Sequence, residues 1–153
     1  MRVSLPICFT ALVAILVVAF ASVAYAAPDG WKDDFDAAVK EAKESGKHVL
    51  VDFTGSDWCG WCIRLTDEVF SKSAFKEFAK DKLILVKVDF PRGKEVPAEV
   101  MERNRELAQK YGVRGFPTIV LLDPEGEEVA RTGYRRGGAE AYVKHLEDLL
   151  ASN

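Results

Sequence analysis

Cysteine and histidine are scarce in this 153-residue chain: Cys8, Cys59 and Cys62, with His48 and His145, are the whole supply. Tetrahedral zinc needs four ligands, and the spacings here match no zinc-finger pattern, so no metal or other cofactor is expected. A basic excess is missing too. Lys and Arg number 21 against 24 Asp and Glu, a net charge of −3, which provides no field to attract a phosphate backbone and argues against a nucleic-acid partner. Low-complexity tracts, internal repeats and linkers are absent, and at this length a single domain is the expectation.

A long apolar run occurs only at the start of the chain. Arg2 is the sole charge before Asp29, the run extends from Leu5 to Ala21, and Ala24-Tyr25-Ala26 supplies the small residues of a cleavage site. Residues 1–26 are expected to be a signal peptide and 27–153 the mature domain, exported to the periplasm or the extracellular space. The alternative is an uncleaved membrane anchor, although Pro6 and Thr10 interrupt the run and it falls short of the roughly 20 apolar residues that span a bilayer. Cleavage would remove Arg2 and Cys8, leaving 20 basic residues against 24 acidic ones and just two cysteines. A bridge between Cys59 and Cys62 would close a very short loop and stabilise the fold little, so a purely structural bridge is the weaker reading.

Trp31, Phe35, Ala38 and Ala42 recur at helical spacing and predict a first helix from about residue 31 to Ser45, stopped by Gly46. Val49 to Phe53 reads as a strand covered on both faces. A helix is expected from Cys59 through Val69 with Ile63, Leu65 and Val69 as its apolar positions, then a short one from Ser73 to Lys80 with Phe75 and Phe78 inward. Leu83 to Asp89 is the second strand, and FPRGKEVP (90–97) is a polar loop before a helix from Ala98 to Tyr111. Thr118–Leu122 and Glu128–Thr132, joined by the turn at 123–126, should pair as an antiparallel hairpin. After the loop from Gly133 to Gly138, Tyr142, Leu146, Leu149 and Leu150 mark a closing helix. The fold class implied is α/β, a mixed four-stranded sheet with helices on both faces.

Cys59-Gly60-Trp61-Cys62 is the motif that carries chemistry. A cysteine at a helix N-terminus faces unpaired N–H groups and partial positive charge, which favour its thiolate, so Cys59 is the candidate nucleophile. One turn of helix brings Cys62 to the same face, where it can attack a mixed disulfide on Cys59 and release the product; Cys62 is the candidate resolving thiol. His48 and His145 read as ordinary boundary or surface histidines.

The stretch Val49-Leu50-Val51-Asp52-Phe53 followed by Trp58-Cys59-Gly60-Trp61-Cys62 is similar to the active-site signature of the thioredoxin superfamily. Tyr111 to Thr118 (YGVRGFPT) resembles that family's later loop, and Gly126 to Gly133 resembles its final turn, so the similarity covers nearly all of residues 31–150 in order. The resemblance implies a thioredoxin fold and a cis Phe116-Pro117 bond beside the cysteines, leaving the backbone of Phe116 to orient an extended substrate; a trans proline opening a strand is the alternative. It also implies that Asp52 accepts the proton of Cys62. Burial of an acid in an apolar strand is costly unless it is used, and the competing reading is a strand-end acid that reaches solvent. Two departures bear on that role: six residues separate Asp52 from Cys59, one more than in typical thioredoxins, and Leu85 stands where many have a lysine facing the aspartate. Trp58 could cover the disulfide or simply pack. Trp61 replaces the proline of ordinary thioredoxins, and Asp57 either modulates the thiolate or is a solvated acid.

The resulting expectation is an exported thiol–disulfide oxidoreductase acting on protein disulfides or dithiols through Cys59 and Cys62, with Trp58, Gly60, Trp61, Phe116 and Pro117 binding substrate. It would work as a monomer with a membrane or exported redox partner. The alternative is a binding module on the same scaffold in which the cysteines form an inert bridge.

Overall fold

The computed structural model describes residues 30–152. The expected signal peptide and Cys8 lie outside the described residues. Five strands form one sheet in the order β1-β3-β2-β4-β5, where β1 is Trp31–Lys32, β2 is His48–Thr54, β3 is Leu83–Asp89, β4 is Thr118–Leu122 and β5 is Glu128–Thr132. Both β1 and β2 run parallel to β3, whereas β4 is antiparallel to β2 and to β5. The sheet is mixed as expected but has one strand more than the four read from the sequence.

The extra strand comes from the start of the expected first helix. Trp31 pairs with Leu85, and its ring packs 5.0 Å from that of Phe70. Asp34 ends this extension: its backbone is extended at φ −96° and ψ 102°, and its carboxylate accepts the Ala37 N–H at 3.0 Å, capping α1 (Phe35–Ser45). Gly46, at φ 71°, closes that helix with its N–H on the Ala42 carbonyl. The four-residue step from Trp31 to Phe35 satisfies helical spacing, but the cap lies between the two.

The second helix also differs from expectation. α2 covers Gly60–Leu65, with Cys59 as its cap rather than its first turn, and it passes into a π-helical turn at Thr66–Phe70. Leu65 and Val69 are buried, but Ile63 is exposed, because only one stripe of this short segment meets the sheet. The remaining helices are α3 (Ser73–Lys82), α4 (Ala98–Lys110) and α5 (Gly138–Ala151). Phe75 is fully buried in α3, while Phe78 is only partly so.

Alternation along the strands divides the interior into two cores. Val49, Val51 and Phe53 of β2 share one face with Ile84, Val86, Val88, Val120 and Leu122, covered by α1 and by Tyr111 after α4. Leu50, Leu85, Ile119 and Leu121 form the opposite face, covered by α2, the π turn, α3 and α5 through Leu65, Val69, Phe75, Tyr142 and Leu146. Fully burying each such side chain contributes roughly 1.5–3 kcal/mol, so two covered faces suffice to hold a sheet this small. By the same alternation Asp52 falls on the face of Leu50, the side on which the cysteine-bearing helix packs. Among the described residues no helix is long and apolar enough to cross a membrane.

Candidate active site at the cysteine pair

The chain leaves β2 at Thr54 and turns sharply: Trp58 and Cys59 both donate their N–H to the Gly55 carbonyl, at 3.2 and 2.9 Å. A side chain at Gly55 would sit 2.5 Å from the Trp58 ring, so this turn needs a glycine for reasons of space. The turn delivers Cys59 to the head of α2, where its sulfur accepts the Cys62 N–H at 3.3 Å. Cys59 and Cys62 form a disulfide with Cα atoms 5.2 Å apart. Cys59 is 7% exposed and Cys62 2%, so the first cysteine is the more accessible. Negative charge on Cys59 after reduction would meet a backbone N–H and the positive end of the helix.

Asp52 is 3% exposed, and its Oδ1 has no hydrogen-bond partner among the described residues. Burial pushes its carboxyl from the ordinary 3.8 up to about 7; Lys87 opposes the rise and Asp89 adds to it. Lys87, not Leu85, is the residue across from Asp52. Leu85 pairs with Leu50 and Trp31, while Lys87 sits opposite Asp52 with its ammonium 5.5 Å from the centre of the Trp31 ring. The lysine that faces the buried acid is therefore present in this chain, two residues beyond Leu85. Burial also raises the Tyr142 hydroxyl, and the charge of Asp52 adds to that rise. Tyr142 donates to the Gly133 carbonyl at 3.0 Å.

Trp58 is 37% exposed and anchored on three sides. Its Nε1 donates to the Phe90 carbonyl at 2.7 Å, the Arg92 guanidinium lies 3.7 Å from its ring centre, and Phe116 meets it edge-on at 5.9 Å. Phe116 also stacks on Phe90 at 5.2 Å, and the Phe116-Pro117 peptide is cis. Asp57 is neither a free loop acid nor directed at the sulfurs. Its carboxylate accepts the backbone N–H of Arg92 at 3.0 and 3.1 Å and of Gly93 at 2.6 Å, which holds its pKa below the ordinary value. Ser56 is tied to Asp89 through its N–H at 3.0 Å and its hydroxyl at 2.6 Å. The 90–97 loop is thereby latched onto the turn that leads to Cys59.

Trp61, between the cysteines, is 50% exposed and rests 5.0 Å from Tyr134 with Arg64 at 5.2 Å. Tyr134 donates to Glu68 at 2.7 Å, tying the loop after β5 to the π turn. Gly60 is exposed as the first residue of α2. Sequence reasoning missed Lys87, Phe90, Arg92, Arg64 and Tyr134; the signal available for Arg92 was its place in a loop containing two prolines and a glycine. His48 opens β2 at the end away from the cysteine turn, and His145 shares a 2.9 Å hydrogen bond with Thr132.

Residues 35–150 match the family described as Thioredoxin-like domain. The chain is 41% identical over 118 residues to the disulfide bond reductase DsbH of Chlamydia pneumoniae, covering 77% of this chain and 71% of that protein. It is 36% identical over 122 residues to an H-type thioredoxin of Oryza sativa subsp. indica, covering 79% and 87% of the two. A solved structure titled DsbH Oxidoreductase superposes with a TM-score of 0.75 at 40% identity, covering 80% of this chain and 85% of that one.

Proposed function

The chain belongs to the thioredoxin-like domain family and is a thiol–disulfide oxidoreductase, and from that premise we propose that it reduces disulfides in exported proteins. The observation that carries the mechanism is Cys59 at the head of α2, the more exposed of the two cysteines, with its sulfur hydrogen-bonded by a helix N–H. In the reduced protein the Cys59 thiolate attacks one sulfur of a substrate disulfide. The other substrate sulfur leaves as a thiolate and takes a proton, and a mixed disulfide remains. Cys62 then gives up its proton, attacks the Cys59 sulfur and expels the second substrate thiolate. Two electrons pass to the substrate, and Cys59 and Cys62 end as the disulfide.

Asp52 is the proton acceptor for Cys62 in this reading. Its placement on the α2 face of β2, its unpartnered oxygen and a pKa near 7 support the role, because a base poised near the working pH both accepts and returns a proton readily. Trp58, Gly60, Trp61, Phe116 and Pro117 form the surface that meets substrate, supported by the exposure of both tryptophans and by the contact between Trp58 and Phe116. Reduction as the physiological direction is supported by the likeness to a disulfide bond reductase. Export is supported by the N-terminal apolar run and its small-residue site, and an exported or membrane redox partner would then return the electrons to a monomeric enzyme.

The test is reduction of a protein disulfide by the pre-reduced protein. Cys59→Ser should abolish it, and Cys62→Ser should accumulate mixed disulfides through Cys59. Faster alkylation of Cys62 than of Cys59 in the reduced protein would reverse the assignment.

A further inference from the structure

The molecule as a whole is acidic, yet Arg92, over the Trp58 ring, and Arg114, in the cleft beside Phe116 and Pro117, have no ion-pair partner among the described residues. Three carboxylates around the site are committed elsewhere: Asp57 to the backbone N–H of Arg92 and Gly93, Glu68 to Arg64 and Tyr134, and Asp89 to Ser56 and Lys94. Neither Arg92 nor Arg114 forms an ion pair among the described residues. Arg92 lies over Trp58, the residue before Cys59. Arg114 lines an open cleft of about 670 Å³ together with Tyr111, Phe116, Pro117, Thr118 and Arg131. Arg131 in that cleft is already occupied by Glu128 and by the Tyr111 carbonyl, so Arg114 is its free cation. Phe116 joins the two positions, touching Trp58 on one side and lining the cleft on the other.

Stacking engages only the flat face of a guanidinium. Its N–H donors point outward in the plane, and those donors match a carboxylate in a two-pronged geometry. Asp57 holds the backbone of Arg92 and the Trp58 ring holds its guanidinium, so the charge has a defined place before any substrate arrives. From this arrangement we propose that Arg92 and Arg114 form a carboxylate clamp, and that the preferred substrate is a polypeptide carrying acidic residues on either side of its disulfide cysteine. The clamp rests on the disulfide-reductase reading and names the substrate class of that same site. The substrate chain would lie along Phe116 with its cysteine at Cys59, one acidic side chain reaching Arg92 and another reaching Arg114. The apolar faces of Trp58 and Trp61 would border the reacting sulfurs. An acidic enzyme would otherwise repel such a substrate, so the local cations decide whether it docks.

The experiment uses the pre-reduced protein and three disulfide peptides of equal length whose flanking residues are acidic, uncharged or lysine. Second-order rate constants for their reduction are read by stopped flow. The acidic peptide should react about tenfold faster than the lysine peptide at low ionic strength, and the gap should shrink as salt screens it. Arg92→Gln and Arg114→Gln should each cut that ratio roughly threefold. Two variants on separate elements guard against a local distortion in either one. A ratio near one in the unmodified protein would overturn the clamp, as would arginine variants that slow all three peptides by one common factor. The neutral reagent 2,2′-dithiodipyridine separates the two readings: no reaction with it would sink thiol exchange itself, whereas a normal reaction alongside charge-blind peptide reduction would sink the clamp alone.

Discussion

Asp52 is an acid held in the apolar centre of a sheet, and its titration has consequences for stability as well as for exchange. Its carboxyl is raised from 3.8 to about 7 by burial, so between those values the folded protein holds a proton that the unfolded chain has released. Stability contributed at this site is therefore greatest in acid and falls as pH rises through that window, the reverse of a salt-bridged carboxylate. The penalty above pH 7 is at most on the order of 4 kcal/mol. Asp52→Asn should leave denaturant stability little changed near pH 4 and raise it near pH 8, while slowing turnover at neutral pH. An equal increment at both pH values would show that Asp52 ionises normally. The acid itself was legible as the one charge in an apolar strand. Its neighbour Lys87 was not, because moving the register by two residues keeps every side chain on its own face and leaves the alternation intact.

Helix boundaries are set by single side chains that periodicity does not register. The N-cap bond of Asp34 to Ala37 begins α1 four residues later than the apolar spacing suggests, and it frees Trp31 to pair at the sheet edge. Asp34→Ala should lower stability by about 1 kcal/mol, and Asp34→Asn or Asp34→Ser should recover most of that loss. Chemical denaturation of the three variants checks this; an alanine variant as stable as the parent would mean that packing of Phe35 and Ala38 alone fixes the helix start. β3, β4 and β5 were legible to the residue, because each is an apolar or alternating run bounded by turn chemistry. The π turn at Thr66–Phe70 had no such signal. The latch from Asp57 to Arg92 and Gly93 was equally hidden, since contacts between residues 35 and 36 positions apart depend on the fold being in place. The cysteine motif, by contrast, is contiguous in sequence and was visible at once.

At the scale of the molecule, redox state and folding are coupled in one thermodynamic cycle: whatever the disulfide adds to fold stability, the fold adds to the disulfide. The sign of that coupling distinguishes a reductant from an oxidant, because a strong oxidant is one whose reduced form is the more stable. The two groups nearest to this question act in opposite senses. The helix N–H on Cys59 would stabilise its thiolate and favour the reduced form. Asp52, when ionised, would disfavour a second negative charge on that side of the sheet. Chain entropy then tips the balance toward the oxidised form: a bridge between residues three apart removes about 2 kcal/mol of freedom from the unfolded chain, far less than a long loop would. The oxidised protein should accordingly melt a few degrees above the reduced one. The reduced protein should still unfold cooperatively, since the two cores on either side of the sheet do not depend on the sulfurs. Calorimetry of both redox states, with the Cys59→Ser, Cys62→Ser double variant as reference, reads the sign directly. A reduced form that melts above the oxidised one would overturn reduction as the working direction and point to an enzyme that donates its disulfide.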